Sequence, residues 1–176
     1  TDAKRPLQQV RISVRSLVEF LLRSGDIDNR NTRGMQLNAM QEGTRIHKKL
    51  QRMMGSDYYA EVPLRFPVET ERYVLSIEGR ADGIFVRKAD EGDFAINGCI
   101  EGRADGSFAR EDISCIDEIK GVYQDVTLME APVPVHLAQA KCYAYMYAAT
   151  HRLETVGVQM TYCDLDTEEV NRFFEC

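Results

Sequence analysis

The chain has 176 residues, 44% of them hydrophobic and 28% charged, and a formal net charge of −6. That is the length of one ordinary domain, able to bury roughly two thirds or more of the surface its unfolded form exposes. No apolar run reaches the length of a membrane span, residues 1–11 lack the apolar core of a signal peptide, and the acidic balance does not advertise a nucleic-acid binder, so a cytoplasmic protein is expected.

Residues 1–11 are polar and predict a loose lead-in. Val14, Leu17, Val18, Leu21 and Leu22 then recur at helical spacing, with Ser13 placed to cap that helix and Gly25 to end it. Residues 26–36 are polar and read as a loop. A second helix is expected over about 37–54, with Met40, Gly43, His47, Leu50 and Met54 on one stripe and Gly55 as its stop. From Tyr58 the period changes to two, as Ala60, Val62, Leu64 and Phe66 alternate with Glu61, Pro63 and Arg65, and the proline suggests an edge strand. Strand-like runs follow at 73–86, 94–108 and 113–120. A third helix is expected over 135–149 and a strand over 155–163, with Val156, Val158, Met160 and Tyr162 on one face. Thr167 can cap a final helix that runs into Cys176, an end inside an element that suggests a domain excised from a longer protein.

The five cysteines, Cys99, Cys115, Cys142, Cys163 and Cys176, are odd in number and share no CxxC spacing. They read as reduced thiols in or near the core, not as disulfides or a zinc site. The heptapeptide Ile-Glu-Gly-Arg-Ala-Asp-Gly at 77–83 recurs without change at 100–106. Two copies are too few for a solenoid and indicate a local duplication.

In Ile116-Asp-Glu-Ile-Lys120 the alternation of a strand puts Glu118 and Lys120 on one face and Asp117 and Ile119 on the other. A carboxylate and an amine two apart can then share a site, the acid holding a hard cation and the amine serving a water or a phosphate oxygen; the plain alternative is a surface charge pair. Upstream, Asp82 and Asp105 each sit in Gly-Arg-Ala-Asp-Gly, where glycine permits close backbone approach or a bulge that re-aims a side chain. His47 interrupts an apolar helical stripe, and His136, Gln139 and Tyr143 form a polar stripe at i, i+3 and i+7 of the third helix.

In order, Gly43-x-x-x-His47, Gly-Arg-Ala-Asp, Glu118-x-Lys120 and Gln139-x-x-x-Tyr143 resemble the motif series of the RecB-like exonuclease branch of the PD-(D/E)XK nucleases over roughly residues 37–164. The stretches from Ile12 and from Pro132 also look like the N-terminal nuclease-like domains of bacterial DinG-like DNA helicases. The resemblance implies an α/β, restriction-endonuclease-like αβββαβ core, a mixed central sheet flanked by helices. It implies a Mg²⁺- or Mn²⁺-dependent deoxyribonuclease acting on single-stranded DNA or a duplex end beside a helicase in repair or recombination. The metal would be held by His47, Asp82 or Asp105, Glu118 and the Ile119 carbonyl; Lys120 would serve the water; Gln139, Tyr143 and His136 would support the site or touch DNA. Some relatives hold an iron–sulfur cluster on one early and three late cysteines, but here no cysteine precedes Cys99 and no cluster is expected. Between the two aspartates, Asp105 lies 13 residues before Glu118 and Asp82 lies 36 before it, so a tight hairpin favours Asp105, whereas upstream context favours Asp82. A catalytically silent domain of the same fold that only binds or guides DNA is the alternative, and an interaction module without a nucleic-acid role is a third.

Overall fold

The computed structural model describes residues 7–22, 33–87 and 112–175, of which 33–39 are described by backbone only. The elements are β1 (Gln8–Ser13), α1 (Val14–Leu21), α2 (Arg33–Met53), β2 (Tyr58–Glu69), β3 (Tyr73–Arg87), β4 (Ile113–Val122), a 3₁₀ turn (Val126–Leu128), α3 (Pro134–His151), β5 (Gly157–Asp164) and β6 (Val170–Glu175). The expected lead-in is therefore in part a strand. β1 runs parallel to β3, Gln8 opposite Tyr73 and Ser13 opposite Glu78. Almost all its side chains face solvent, and its apolar alternation is confined to Val10 and Ile12, too short a run to mark a strand.

Ser13 caps α1 as its sequence predicts, its Oγ accepting the Ser16 N–H at 3.0 Å. α2 ends before Gly55, whose φ of 85° is the left-handed conformation that terminates a helix at little cost. Its buried stripe is Ile46 and Leu50, whereas Met40 is 70% exposed, so the apolar face is rotated from the one expected. Pro134 opens α3, where a missing N–H costs nothing. The expected final helix is a strand instead. Thr167 Oγ1 accepts the Glu169 N–H within a turn, and β6 returns antiparallel to β5 with Val170 opposite Cys163 and Glu175 opposite Val158. Pairing with a fully buried strand outweighs the helix start signal of a lone threonine.

β2 and β3 form a hairpin closed by Thr70, whose N–H donates to the Tyr73 carbonyl at 2.9 Å. β4 is antiparallel to β3, β5 is parallel to β4 through the α3 crossover, and β6 closes the sheet. Among the described residues β2 pairs only with β3, so Pro63 lies on an edge strand there, as expected. α1 and α3 cover one face, where Val14, Val18, Ala140, Tyr143 and Met146 pack with Leu64, Ile116, Val158, Met160 and Tyr162. α2 covers the other with Ile46 and Leu50 against Ile119, Cys163 and Leu165. Each of the buried Val, Leu, Ile and Met side chains among them stabilises the fold by roughly 1.5–3 kcal/mol.

The long strand β3 creates the feature that positions the site. One of its edges is taken by β2 over residues 74–85 apart from the step at Asp82, while the other is shared, with β1 alongside residues 73–78 and β4 alongside residues 83–87. The sheet thus forks around residues 79–82, the Gly-Arg-Ala-Asp segment itself.

Candidate metal centre

Asp82 stands at the fork. The β2–β3 ladder keeps one register from Tyr58 opposite Phe85 to Glu69 opposite Val74, but one step is missing, where Glu61 faces Asp82. Glu61 has a φ of 56°, a left-handed conformation that costs a non-glycine residue roughly 1–2 kcal/mol. The interruption turns both strands over. Val62, Leu64 and Phe66 pack into the core under α3, yet Tyr58, of the same parity, bonds Asp117 on the opposite face. Gly83 makes this possible, because a Cβ there would collide with the Tyr58 ring. Glycine next to Asp82 therefore serves close approach.

Freed from the ladder, Asp82 is held by side-chain bonds. Its Oδ2 accepts the Ile119 N–H of β4 at 2.8 Å, and its carbonyl accepts Gln51 Nε2 of α2 at 2.9 Å. The same Gln51 amide donates to Glu61 Oε1 at 3.0 Å, and Arg80 Nε sits 2.7 Å from Glu61 Oε2. His47 Nδ1, one turn before Gln51, lies 3.5 Å from Asp82 Oδ1. One ligand atom each of His47, Glu61 and Asp82 falls within 4.8 Å of the others, about twice a hard-cation–oxygen distance.

Glu118 and Lys120 point from β4 toward α3, as their alternation predicts. Lys120 Nζ donates to Glu118 Oε1 at 2.8 Å and to Gln139 Oε1 of α3 at 3.3 Å. Glu118 is 1% exposed and its Oε2, also buried, has no hydrogen-bond partner among the described residues. Tyr143 packs against Gly79, where an added Cβ would come within 2.5 Å of the ring, so the bare glycine backbone lets α3 approach the fork. His136 turns toward β5, its Nδ1 3.2 Å from the Tyr162 hydroxyl.

The charges follow this arrangement. Burial first, then the Asp82 charge, pushes the Glu118 carboxyl up to about 7 against the opposing pull of Lys120. Burial opposes protonation of His47, but the Asp82 hydrogen bond and charge prevail and raise it above the ordinary imidazole value. Burial, then Lys120 and Arg15, lowers His136 to about 4, which leaves it neutral and a bracing group for Tyr162. A divalent cation suits the donor set. An imidazole and carboxylates are ligands for Mg²⁺ or Mn²⁺, so His47, Glu61 and Asp82 fit such an ion, and the buried Glu118 oxygen without a partner among the described residues is a further oxygen donor beside Asp82.

His47, Asp82, Glu118, Lys120, Gln139 and Tyr143 therefore converge at the fork, with the backbone of Ile119 beside them, and His136 lies at its margin. Asp105 and the second heptapeptide lie outside the described residues, as do Cys99 and Cys176. β3, the strand carrying Asp82, pairs with residues 113–117 of β4, and β5 pairs with residues 115–122 on the other edge, so the strand of Asp82 is one direct neighbour of that of Glu118. Glu61 and Gln51 were not foreseen. A glutamate in an alternating strand reads as solvent-facing, and only its place opposite Asp82 brings it into the group. Cys115, Cys142 and Cys163 are free thiols, two of them buried.

Among the described residues a six-stranded mixed sheet flanked by three helices makes an α/β fold, consistent with the restriction-endonuclease-like kind. No family model and no curated protein matches the chain. Among solved structures it is similar to that described as "Crystal structure of SSO0001", with 16% identity and a TM-score of 0.53, over 97% of this chain and 69% of that one. At that identity the likeness shows a shared fold alone.

Proposed function

We propose that the protein is a metal-dependent nuclease of the PD-(D/E)XK type, RecB-like, that hydrolyses DNA phosphodiester bonds, and that it works in the cytoplasm beside a helicase of the DinG-like kind. The observation that carries this is Glu118, a buried carboxylate with one oxygen on Lys120 and the other unpartnered among the described residues, next to Asp82 and His47. His47, Asp82 and Glu118 would hold Mg²⁺ or Mn²⁺, with the Ile119 carbonyl as the resemblance implies and Glu61 within reach of the same group. A cation bound there supplies Lewis-acid polarisation of a phosphoryl oxygen and lowers the pKa of water. Lys120 has three donor protons and uses two on Glu118 and Gln139, so the third is free for the attacking water or a phosphate oxygen. Gln139 and Tyr143 fix the amine against β4, and Asp82 is fixed by Ile119 and Gln51, which limits the motion of the groups around a bound phosphate.

The silent-domain alternative draws on one observation, that Glu118 is turned to Lys120 and is not one of the trio within 4.8 Å. Release of nucleotides from linear DNA with Mg²⁺ or Mn²⁺ separates the two. Wild type is expected to cut and Lys120→Ala to lose roughly 10²–10⁴-fold in rate while remaining folded by circular dichroism at the assay temperature. Wild type without activity on single-stranded and duplex DNA with both metals would leave the silent domain as the reading.

A further inference from the structure

We infer that one face of α2 is the track on which the sugar–phosphate backbone of the DNA strand lies as it enters the metal centre. The inference deepens the nuclease proposal and rests on it for direction. Arg45, Lys48, Lys49 and Arg52 recur at i, i+3, i+4 and i+7, a single stripe in a chain whose net charge is −6, and no acid interrupts residues 45–52. Together with Met53 they line a shallow cavity of about 400 Å³.

The four cations are not equivalent. Arg45 Nη1 sits 2.7 Å from Glu168 Oε1 and Arg45 Nε sits 2.8 Å from Glu42 Oε2, and Lys49 also pairs with Glu168. Glu168 belongs to the β5–β6 turn, so these two residues tie α2 to the hairpin. Lys48 and Arg52 are exposed and make no ion pair among the described residues. They are also the two nearest the site, since Lys48 follows His47 and Arg52 follows Gln51, each about 100° further around the helix.

Going around α2, the faces are Ile46 and Leu50 on the core, His47 and Gln51 on Asp82, then Lys48 and Arg52 in solvent. Lys48 and Arg52 are ~6 Å apart along the axis, close to two base steps at ~3.4 Å per step of one strand. Unpaired cations at that spacing, next to carboxylates that would otherwise repel phosphate, suit a continuous polyanion passing from the stripe to the cation site. They would attract it without reading sequence.

The test is binding of a fluorescent single-stranded DNA oligonucleotide, measured over a range of salt in EDTA so that neither cutting nor metal binding contributes. Lys48→Gln/Arg52→Gln is expected to bind more weakly and to lower the slope of log affinity against log salt by about 1.4, two contacts at ~0.7 each, with an unchanged melting temperature. Arg72→Glu, at the β2–β3 turn and ~30 Å along β3 from Asp82, is expected to leave the slope unaltered. An unchanged slope in the double variant, or an equal fall in Arg72→Glu, would overturn the proposal. If wild type neither cuts DNA nor is stabilised by Mn²⁺, the nuclease reading fails separately, because the binding measurement contains no metal.

Discussion

Asp117 and Glu118 are neighbours on β4, each 1% exposed, and their surroundings differ in kind. Asp117 faces α2 and has every oxygen satisfied by a neutral donor. Tyr58 gives Oδ2 a hydrogen bond at 2.9 Å, and Thr161 and Gln159 give Oδ1 bonds at 2.7 and 3.3 Å. Glu118 faces α3 and has one oxygen on a lysine, the other on nothing among the described residues, and a second acid close enough to raise its proton affinity. Both carboxyls are held above their ordinary range, and in both burial is the leading cause. Burial alone therefore does not distinguish a structural acid from a functional one; the partners do. Neutral donors that complete a carboxylate make it part of the architecture, whereas an oxygen left open beside a like charge costs stability that a cation can restore.

The comparison breaks first on activity. Asp82→Asn and Glu118→Gln are expected to cut DNA roughly 10²–10³-fold more slowly at saturating metal, and Asp105→Asn to stay near wild type, because the strand of Asp82 is a direct neighbour of that of Glu118. Loss confined to Asp105→Asn in a nucleotide-release assay would transfer the aspartate's role to the second heptapeptide. That would leave the Asp82 contact to Ile119 as a matter of strand pairing.

It sharpens next on stability, where the two acids should respond with opposite signs. Asp117→Asn turns an amide toward three donors and is expected to cost about 1–3 kcal/mol, roughly 3–10 °C in melting temperature. Glu118→Gln in EDTA is expected to stabilise the protein at pH 8 by about 1–3 kcal/mol. Because folding raises the Glu118 pKa to about 7, the folded state holds the proton more tightly than the unfolded one. Its contribution is then fully present below pH ~4.5 and lost as the pH rises through ~7. The gain in Glu118→Gln should accordingly fade by pH 5. His47 shifts in the same sense and His136 in the opposite one, so the difference between variant and wild type, and not the wild-type curve, carries the result. Thermal melts at the two pH values measure it; equal effects of the two substitutions at pH 8 would remove the distinction between the acids.

Much of this site was legible in the chain because it depends on short-range periodicity. Glu118 and Lys120 share a face because a strand alternates, and Gln139 and Tyr143 share one because a helix repeats. The pairing of strands was less legible. Proximity in sequence does not reveal that β3 lies beside β4, because their register is decided by which apolar residues meet across the sheet, among them Ile84 opposite Ile116; Asp105 lies outside the described residues. Glu61 was not legible at all, since its left-handed backbone arises from the turn-over of two paired strands and leaves no mark on residue spacing. The same limit explains the two end strands. β1 carries only Val10 and Ile12 in alternation, too short a signal to separate it from a polar lead-in, and in β6 Val170, Phe173 and Phe174 form a strand because β5 presents an edge, which outweighs the cap signal of Thr167.

The central claim is that the open oxygen of Glu118 belongs to a cation site shared with Asp82. Calorimetric titration of the metal-free protein with Mn²⁺, on wild type, Glu118→Gln and Asp117→Asn, tests it most directly. A single strong site in wild type and Asp117→Asn, weakened by tenfold or more, about 1.4 kcal/mol, in Glu118→Gln, is the predicted result. Equal affinity in wild type and Glu118→Gln would contradict it and place any cation elsewhere.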